Sequence, residues 1–280
     1  MFGGLSLDFA TVLVFAVAGY YHGRSVASAG CEISVDTVHR HLGKPLVGCV
    51  GCAGLLVLVL LAGMSDVDRI WRAPLWLEFA TPQLIWLLIL GPLAYLGAVC
   101  ATVARRSADA RYAKLPHAMG VLLLAFIGLH WSTHRSIANN LGRVVLEDGM
   151  VLQSSGVSCV PASAANIAAQ FGIERTEREM AELLGTTVQG TSVAQTVYGM
   201  RKLSVHCRKA EFDEAAAIPV PAMLFVDHPS AGEESHAVAM TRRPENGRIE
   251  ILDPLGGRRV FTEADFTAIW HGKALLFSKD

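Results

Sequence analysis

The chain has 280 residues and a formal net charge of −1, with 52% hydrophobic and 18% charged residues and a mean hydropathy of +0.38. Near-neutrality without a basic stripe excludes the electrostatic footprint of a nucleic-acid-binding protein. The apolar excess lies almost entirely before residue 132.

In chain order, Met1–Tyr21 reads as a first membrane span, with Asp8 inside it. A signal peptide is the competing reading, since Ala16-Val17-Ala18 resembles a small-residue cleavage site. The stretch before the apolar run carries no Lys or Arg, which favours an uncleaved span. Pro45–Met64 is a charge-free run of 20 residues, Phe79–Ala104 is also uncharged, and Leu115–Ser132 holds only His117 and His130 as titratable groups. At 1.5 Å rise per residue, ~20 apolar residues cover a ~30 Å hydrocarbon core. Four spans are therefore expected, at about 1–21, 45–64, 79–104 and 115–132, within a transmembrane region of residues 1–134. The first and third loops carry seven Lys/Arg against two in the second loop and none at the N-terminus. The expectation is that those loops are cytoplasmic and that both termini face outward. On that topology the C-terminal domain is expected on the extracytoplasmic side of the membrane. Asp8 is the only acidic group in these spans, which argues against a small carrier or channel.

Residues 135–149 read as a connector, and 150–280 as one domain of ordinary composition. From Arg135 onward there are 15 Lys/Arg against 18 Asp/Glu. Of the six cysteines, Cys49 and Cys52 lie in an apolar span without a Cys or His partner at metal-ligand spacing. They read as small residues on a packed helix face rather than a metal or redox pair. A Cys159–Cys207 disulfide is the alternative to a free thiol at Cys159.

Within the domain, Ser158 is expected to cap a helix beginning at Cys159, with Pro161 in its first turn and Ala164, Ile167, Ala168 and Phe171 on its buried face. Gly172 should end it. Thr176 with Glu179, and Ser192 with Gln195, have capping-box spacing and predict two further helices, the first closing at Gly185 and the second running to about Leu203. The pattern then changes to strands at Val205–Arg208, Ala222–Val226, Ala237–Thr241, Arg248–Leu252 and Ala274–Phe277, with a helix over Glu263–Trp270. Helices first and a largely antiparallel sheet afterwards is an α+β pattern.

The chemistry is concentrated in Gln153-Ser-Ser-Gly-Val-Ser-Cys159. A thiol at a helix start gains thiolate character from the unpaired N–H groups there, and an upstream amide can hold an oxyanion. Four histidines are candidate bases. His236 stands at the start of an apolar strand, and the turn Pro244–Gly247 folds the next strand back so that Asp253 lies beside it. Asp253 would fix the imidazole tautomer and stabilise its charge. His206 reads as a strand residue, His228-Pro229 as a solvent-facing loop and His271 as a post-helix surface residue.

Gln153–Gly172 resembles peptidase family C39, the bacteriocin-leader-processing peptidases of papain-like fold. The matching text is Gln153, Cys159, Pro161-Ala162-Ser163 and Phe171-Gly172, followed by Gly190-Thr191-Ser192, the His236 strand, Ile251-Leu252-Asp253-Pro254 and Phe266…Trp270-x-Gly272. The resemblance implies a cysteine endopeptidase with Cys159 as nucleophile, His236 as base, Asp253 as its orienting carboxylate and Gln153 in the oxyanion hole. It implies no metal and no organic cofactor. Val160 stands where the family usually has Gly after the Cys. The best-known members are parts of ABC exporters, whereas this chain shows no Gly-x-x-x-x-Gly-Lys-Ser/Thr loop. The expected partners are a peptide or protein substrate, the lipid bilayer and an export system, with no nucleic acid. Two other classes stay open: a non-catalytic peptide-docking module, and a papain-like acyl transferase or amidase.

Overall fold

The computed structural model describes residues 2–28, 43, 47–49, 51, 54–55, 74–105, 114–142, 144–146, 148–228 and 232–279. The chain divides into two compact units, Met1–Ser132 and Thr133–Asp280.

The first unit is helical: α1 (Phe2–Ser28), α2 (Leu75–Ala104) and α3 (Leu115–Thr133). Helix α1 runs beyond the expected 1–21 and carries Asp8. It packs on α2 through two small residues one turn apart. A Cβ at Gly19 would sit 2.3 Å from the Tyr95 carbonyl oxygen, and one at Gly23 would sit 2.9 Å from Thr102 Cβ. Only glycine permits so close a backbone approach, the small-x-x-x-small arrangement of helices packed in apolar surroundings. His22 Nδ1 and the Tyr95 hydroxyl are hydrogen-bonded across the same seam. Among the described residues one helical segment, Trp86–Val103, is long and apolar enough to cross a membrane. The expected span at 45–64 lies largely outside the described residues, as do Cys31, Cys52 and most of the charged loop positions.

The second unit is α+β. A short hairpin of β1 (Val144–Val145) and β2 (Val151–Leu152) leads into helices α4 (Cys159–Ala169), α5 (Glu177–Leu184) and α6 (Val193–Arg201). Strands β3 (Val205–Glu211), β4 (Ala222–His228), β5 (Gly232–Met240), β6 (Arg248–Asp253), β7 (Gly257–Thr262) and β8 (Trp270–Lys279) follow, with α7 (Glu263–Thr267) before the last. The sheet order is β3-β8-β4-β5-β6-β7, antiparallel at every pairing.

Helix α4 is buried on all sides from Val160 to Ala168. A helix apolar all round is a core helix, and its alanines let it lie close against β5. Helices α5 and α6 carry the expected capping boxes: Glu179 N–H to Thr176 Oγ1 at 3.2 Å and Gln195 N–H to Ser192 Oγ at 3.2 Å, each with its reciprocal bond. The other side of the sheet buries Leu224, Val238, Met240, Ile251, Phe266 and Trp270 in one cluster. A side chain of this size contributes about 1.5–3 kcal/mol when buried.

Three expectations need correction. Ser158 precedes α4 but makes no side-chain cap to it; its hydroxyl turns back to Ser155. The helix expected over Glu263–Trp270 stops at Thr267, and Trp270 opens β8. Strand β7 was not expected at all. It pairs with β6 from Arg248↔Thr262 to Asp253↔Gly257 at the sheet edge.

Strand β8 contains a bulge. Val226 pairs with Trp270 and Leu224 with Ala274, so β8 spends two more residues than β4 over the same interval. Gly272 absorbs the excess at φ +91°, and a Cβ there would lie 2.7 Å from the Phe212 carbonyl oxygen. Gly272→Ala combines a disfavoured φ with a backbone clash. It should destabilise the domain by about 2 kcal/mol and lower its Tm by roughly 4–8 °C, as measured by thermal unfolding.

Candidate active site

Cys159 opens α4, where the helix's first N–H groups have no partner within the helix. Helix α4 is pinned to β5 by Ser163, whose hydroxyl donates to the Ala237 carbonyl at 2.9 Å. The Ala237 N–H in turn hydrogen-bonds the Cys159 sulfur. The residue next to the imidazole is thereby tied to the thiol's own helix.

His236 is not at the start of its strand, as the sequence suggested, but inside β5, opposite Val226 of β4. Ala239 pairs with Leu252 across β5 and β6. Asp253 follows Leu252 and so runs toward the His236 end of β5. His236 Nε2 and Asp253 Oδ1 are 2.8 Å apart, and the two residues are 6% and 5% exposed. With Nε2 engaged, Nδ1 is the ring nitrogen left for the hydrogen bond between His236 and Cys159. Asp253 Oδ1 also accepts the Leu255 N–H at 2.9 Å, and Arg259 Nε lies 3.1 Å from Oδ2.

The electrostatics follow from burial and hydrogen bonding in opposition. Burial disfavours the Cys159 thiolate. The His236 hydrogen bond, the Ala237 N–H and the imidazole's charge outweigh it, and the thiol stays below its ordinary value. Burial likewise disfavours the imidazolium, but the bonds to Asp253 and Cys159 push His236 up to about 9. Asp253 is held below the ordinary carboxylate range, burial being overcome by His236, the Leu255 N–H and Arg259. Every shift favours a thiolate–imidazolium pair backed by a carboxylate.

Gln153 follows β2, and its backbone N–H donates to the Pro254 carbonyl at 2.8 Å, one residue past Asp253. Its side-chain Nε2 donates to the Ser155 carbonyl at 2.9 Å, leaving a second N–H on the same nitrogen. Gln153 Oε1 is buried without a hydrogen-bond partner among the described residues. The reverse amide orientation would face this oxygen onto the Ser155 carbonyl, so the geometry favours Nε2 toward the loop.

The structure thus brings Cys159, His236 and Asp253 into one hydrogen-bonded chain and ties the Gln153 backbone to the segment after Asp253. Cys159 and Cys207 are both free thiols. Cys207 is buried in β3, and burial pushes it up to about 12. Among the described residues no group of three His, Cys, Asp or Glu is placed to hold a metal ion. His228, expected in a solvent-facing loop, ends β4 with its ring 5.4 Å from that of His236. Its proximity was hidden by the following Pro229, which made the dipeptide read as a turn. His271, expected as a post-helix surface residue, is exposed three residues past the C-cap of α7; it is the second residue of β8 and bonds Asp227 at 3.0 Å.

The model of the peptidase C39 family matches residues 148–280 of this chain, which span the whole of this site. An uncharacterized protein of Methanothermobacter thermautotrophicus is 29% identical over 138 residues, covering 48% of this chain and 90% of that protein. A second, from Methanothermobacter marburgensis, is 27% identical over 134 residues, covering 48% and 91%. Among solved structures, the peptidase domain of Streptococcus ComA, a bi-functional ABC transporter involved in quorum sensing, is 22% identical with a TM-score of 0.42, covering 46% of this chain and 97% of that domain. A double glycine motif protease from an AMS/PCAT transporter, solved with its leader peptide, is 15% identical with a TM-score of 0.41, covering 50% and 93%.

His236→Ala leaves the Cys159 thiol with the burial penalty and without its main counterweight. Its reaction with iodoacetamide at pH 6 should slow by about tenfold or more, because the reactive thiolate gives way to the neutral thiol. Peptide mapping of the alkylated full chain reads this out.

Proposed function

We propose that this chain is a membrane-anchored cysteine endopeptidase of the C39 type. The observation that carries the reading is the buried chain of hydrogen bonds from Asp253 through His236 to Cys159 at the head of α4. The match of residues 148–280 to the family model supports the reaction class.

In this reading the Cys159 thiolate attacks the carbonyl carbon of the scissile peptide bond, and the C=O electron pair moves onto oxygen. The second N–H of Gln153 Nε2 and the backbone N–H of Cys159 itself hold that oxyanion, since Pro161 has no N–H and those of Val160 and Ala162 are engaged by the Cys159 sulfur and the Ser158 carbonyl. His236 gives its proton to the departing amine, the C–N bond breaks, and a thioester remains on Cys159. The neutral imidazole then takes a proton from water, whose oxygen attacks the thioester and releases the acid and the thiol. Asp253 holds Nε2 throughout and stabilises the imidazolium at both ends of the cycle.

The substrate in this reading is a peptide or membrane-proximal protein, with leader-peptide processing beside an export system as its narrower form. The transporters and the leader peptide belong to the solved neighbours. They enter here only as the substrate class to test first. The helices of residues 1–134 would be the anchor in a bacterial cytoplasmic membrane, with the peptidase domain outside. The apolar segment Trp86–Val103 and the exposed Val14, Val121, Leu124 and Trp131 of α1 and α3 support a lipid-facing role.

Cleavage of a leader-type peptide by the full chain in detergent should give a bell-shaped pH profile. On the acid side the rate falls as pH drops through the lowered pKa of Cys159. On the alkaline side it falls as His236 loses its proton near pH 9. Cys159→Ala should abolish turnover while still retaining the peptide, and Gln153→Ala should cut kcat by about 10²–10³. Retention of peptide without cleavage by the unaltered chain would mark a docking module. Transfer of the acyl group to an amine in preference to water would mark an acyl transferase.

A further inference from the structure

The segment from Val151 to Ser158 joins the Gln153 amide to the nucleophile, and its backbone is clamped from two helices. Asn166 of α4 is 4% exposed and spends its whole amide on one residue: Val151 N–H donates to Oδ1 at 2.8 Å, and Nδ2 donates to the Val151 carbonyl at 2.9 Å. On the far side of Gln153 stands Glu177, in the first turn of α5 and 1% exposed. Its Oε1 accepts the Ser154 N–H at 2.8 Å, and its Oε2 accepts the Ser154 hydroxyl at 2.7 Å. The Ser154 oxygen accepts the Gly142 N–H at 2.8 Å. Gln153 itself is tied through its N–H to Pro254, and its side chain to Ser155. Ser155 is closed onto Ser158 through Ser155 N–H to Ser158 Oγ at 3.1 Å and Ser158 Oγ to Ser155 O at 2.8 Å.

A buried carboxylate is expensive unless both oxygens are used. This one touches no group of the Cys159–His236–Asp253 chain. It spends both oxygens on the residue adjacent to the oxyanion donor, 23 positions upstream in sequence. Helix stability does not explain that partner, because α5 is already closed by its own capping box between Thr176 and Glu179. A donor amide helps only if its N–H is already aimed at the place where the oxyanion forms, since reorientation during the reaction costs what it would contribute.

We infer that Glu177 is a positioning residue for the oxyanion hole, fixing Gln153 through Ser154 while Asn166 fixes the same strand through Val151. The inference rests on the cysteine-peptidase reading. It separates two reactions of the same thiol. Acylation by p-nitrophenyl acetate forms a carbon–sulfur bond at a carbonyl, develops an oxyanion and expels p-nitrophenolate. Alkylation by iodoacetamide displaces iodide at a saturated carbon and develops none.

The test measures both rates on the full chain in detergent for Glu177→Ala and for Ser154→Ala, each alone and combined with Gln153→Ala. Glu177→Ala is expected to slow acylation by about tenfold to a hundredfold, and Ser154→Ala by a smaller factor, with alkylation of Cys159 unchanged within about twofold. Neither change should slow acylation further once Gln153 is Ala, as for groups acting through one donor. Glu177→Gln, whose amide oxygen can still accept the Ser154 N–H, should recover most of the rate. Ser154→Ala removes only a hydroxyl and keeps the test alive if Glu177→Ala does not fold. Equal slowing of both reactions, no slowing of acylation, or an undiminished effect on the Gln153→Ala background overturns the inference alone. An unaltered chain that is alkylated but not acylated overturns the peptidase reading, and the inference falls with it.

Discussion

The site depends on one junction: the first turn of α4 against strand β5. A thiol and an imidazole share a proton only within hydrogen-bond distance, and they come from residues 77 positions apart in the chain. Ala237 sets the distance between them. Its carbonyl accepts the Ser163 hydroxyl from one turn into α4, and its N–H reaches the Cys159 sulfur. His236 precedes it in the same strand, so its backbone is registered to the helix with no flexible segment between. The small residues of α4, Ala162, Ala164, Ala165 and Ala168, let helix and sheet approach closely. A larger side chain in that layer would separate the two halves of the pair before it disturbed either.

The same junction explains why the charges survive burial. Desolvation opposes the thiolate, the imidazolium and the carboxylate alike, and it is the largest influence on each. Burial alone would push each of the three toward its neutral form. Each is carried by its neighbours: Asp253 by the Leu255 N–H and Arg259, His236 by Asp253, and Cys159 by His236 and Ala237. A chain of this kind is cooperative, and removing any member leaves the next as an uncompensated buried charge.

Much of this was legible in the sequence, and the parts that were not share a physical reason. Local signals carried the helices. Thr176/Glu179 and Ser192/Gln195 announce their capping boxes at a separation of three residues, and the structure forms both. The neighbourhood of His236 and Asp253 followed from a hairpin whose turn is closed by the Arg248 N–H to the Glu245 carbonyl at 2.9 Å. Strand β7 could not be seen. Gly-Arg-Arg-Val-Phe-Thr lies at the sheet edge, exposed along most of its length, so neither face is selected for apolar residues. Trp270 looked helical because the bulge at Gly272 breaks the alternation of β8 before it can register as a strand. The roles of Glu177 and Asn166 were likewise invisible. A buried carboxylate near a helix start has the sequence signature of an ordinary first-turn Glu, and only its partner in space distinguishes it.

The division of the chain into two units limits what each can contribute. Cys159, His236, Asp253, Gln153, Glu177 and Asn166 all belong to the unit Thr133–Asp280. The thiol's ionisation and the aim of the oxyanion donor are therefore set by bonds internal to that unit. In the proposed reading the helices of residues 1–134 act as an anchor and bear on the substrate rather than on these bonds. Such an anchor can raise the local concentration of a substrate held at the same membrane, to the millimolar range for a short tether. In that reading the helices of residues 1–134 would govern which peptides are met, and the clamped segment Val151–Ser158 how fast any of them is acylated. Selectivity and rate would be separable properties of this chain, open to change in one unit without change in the other.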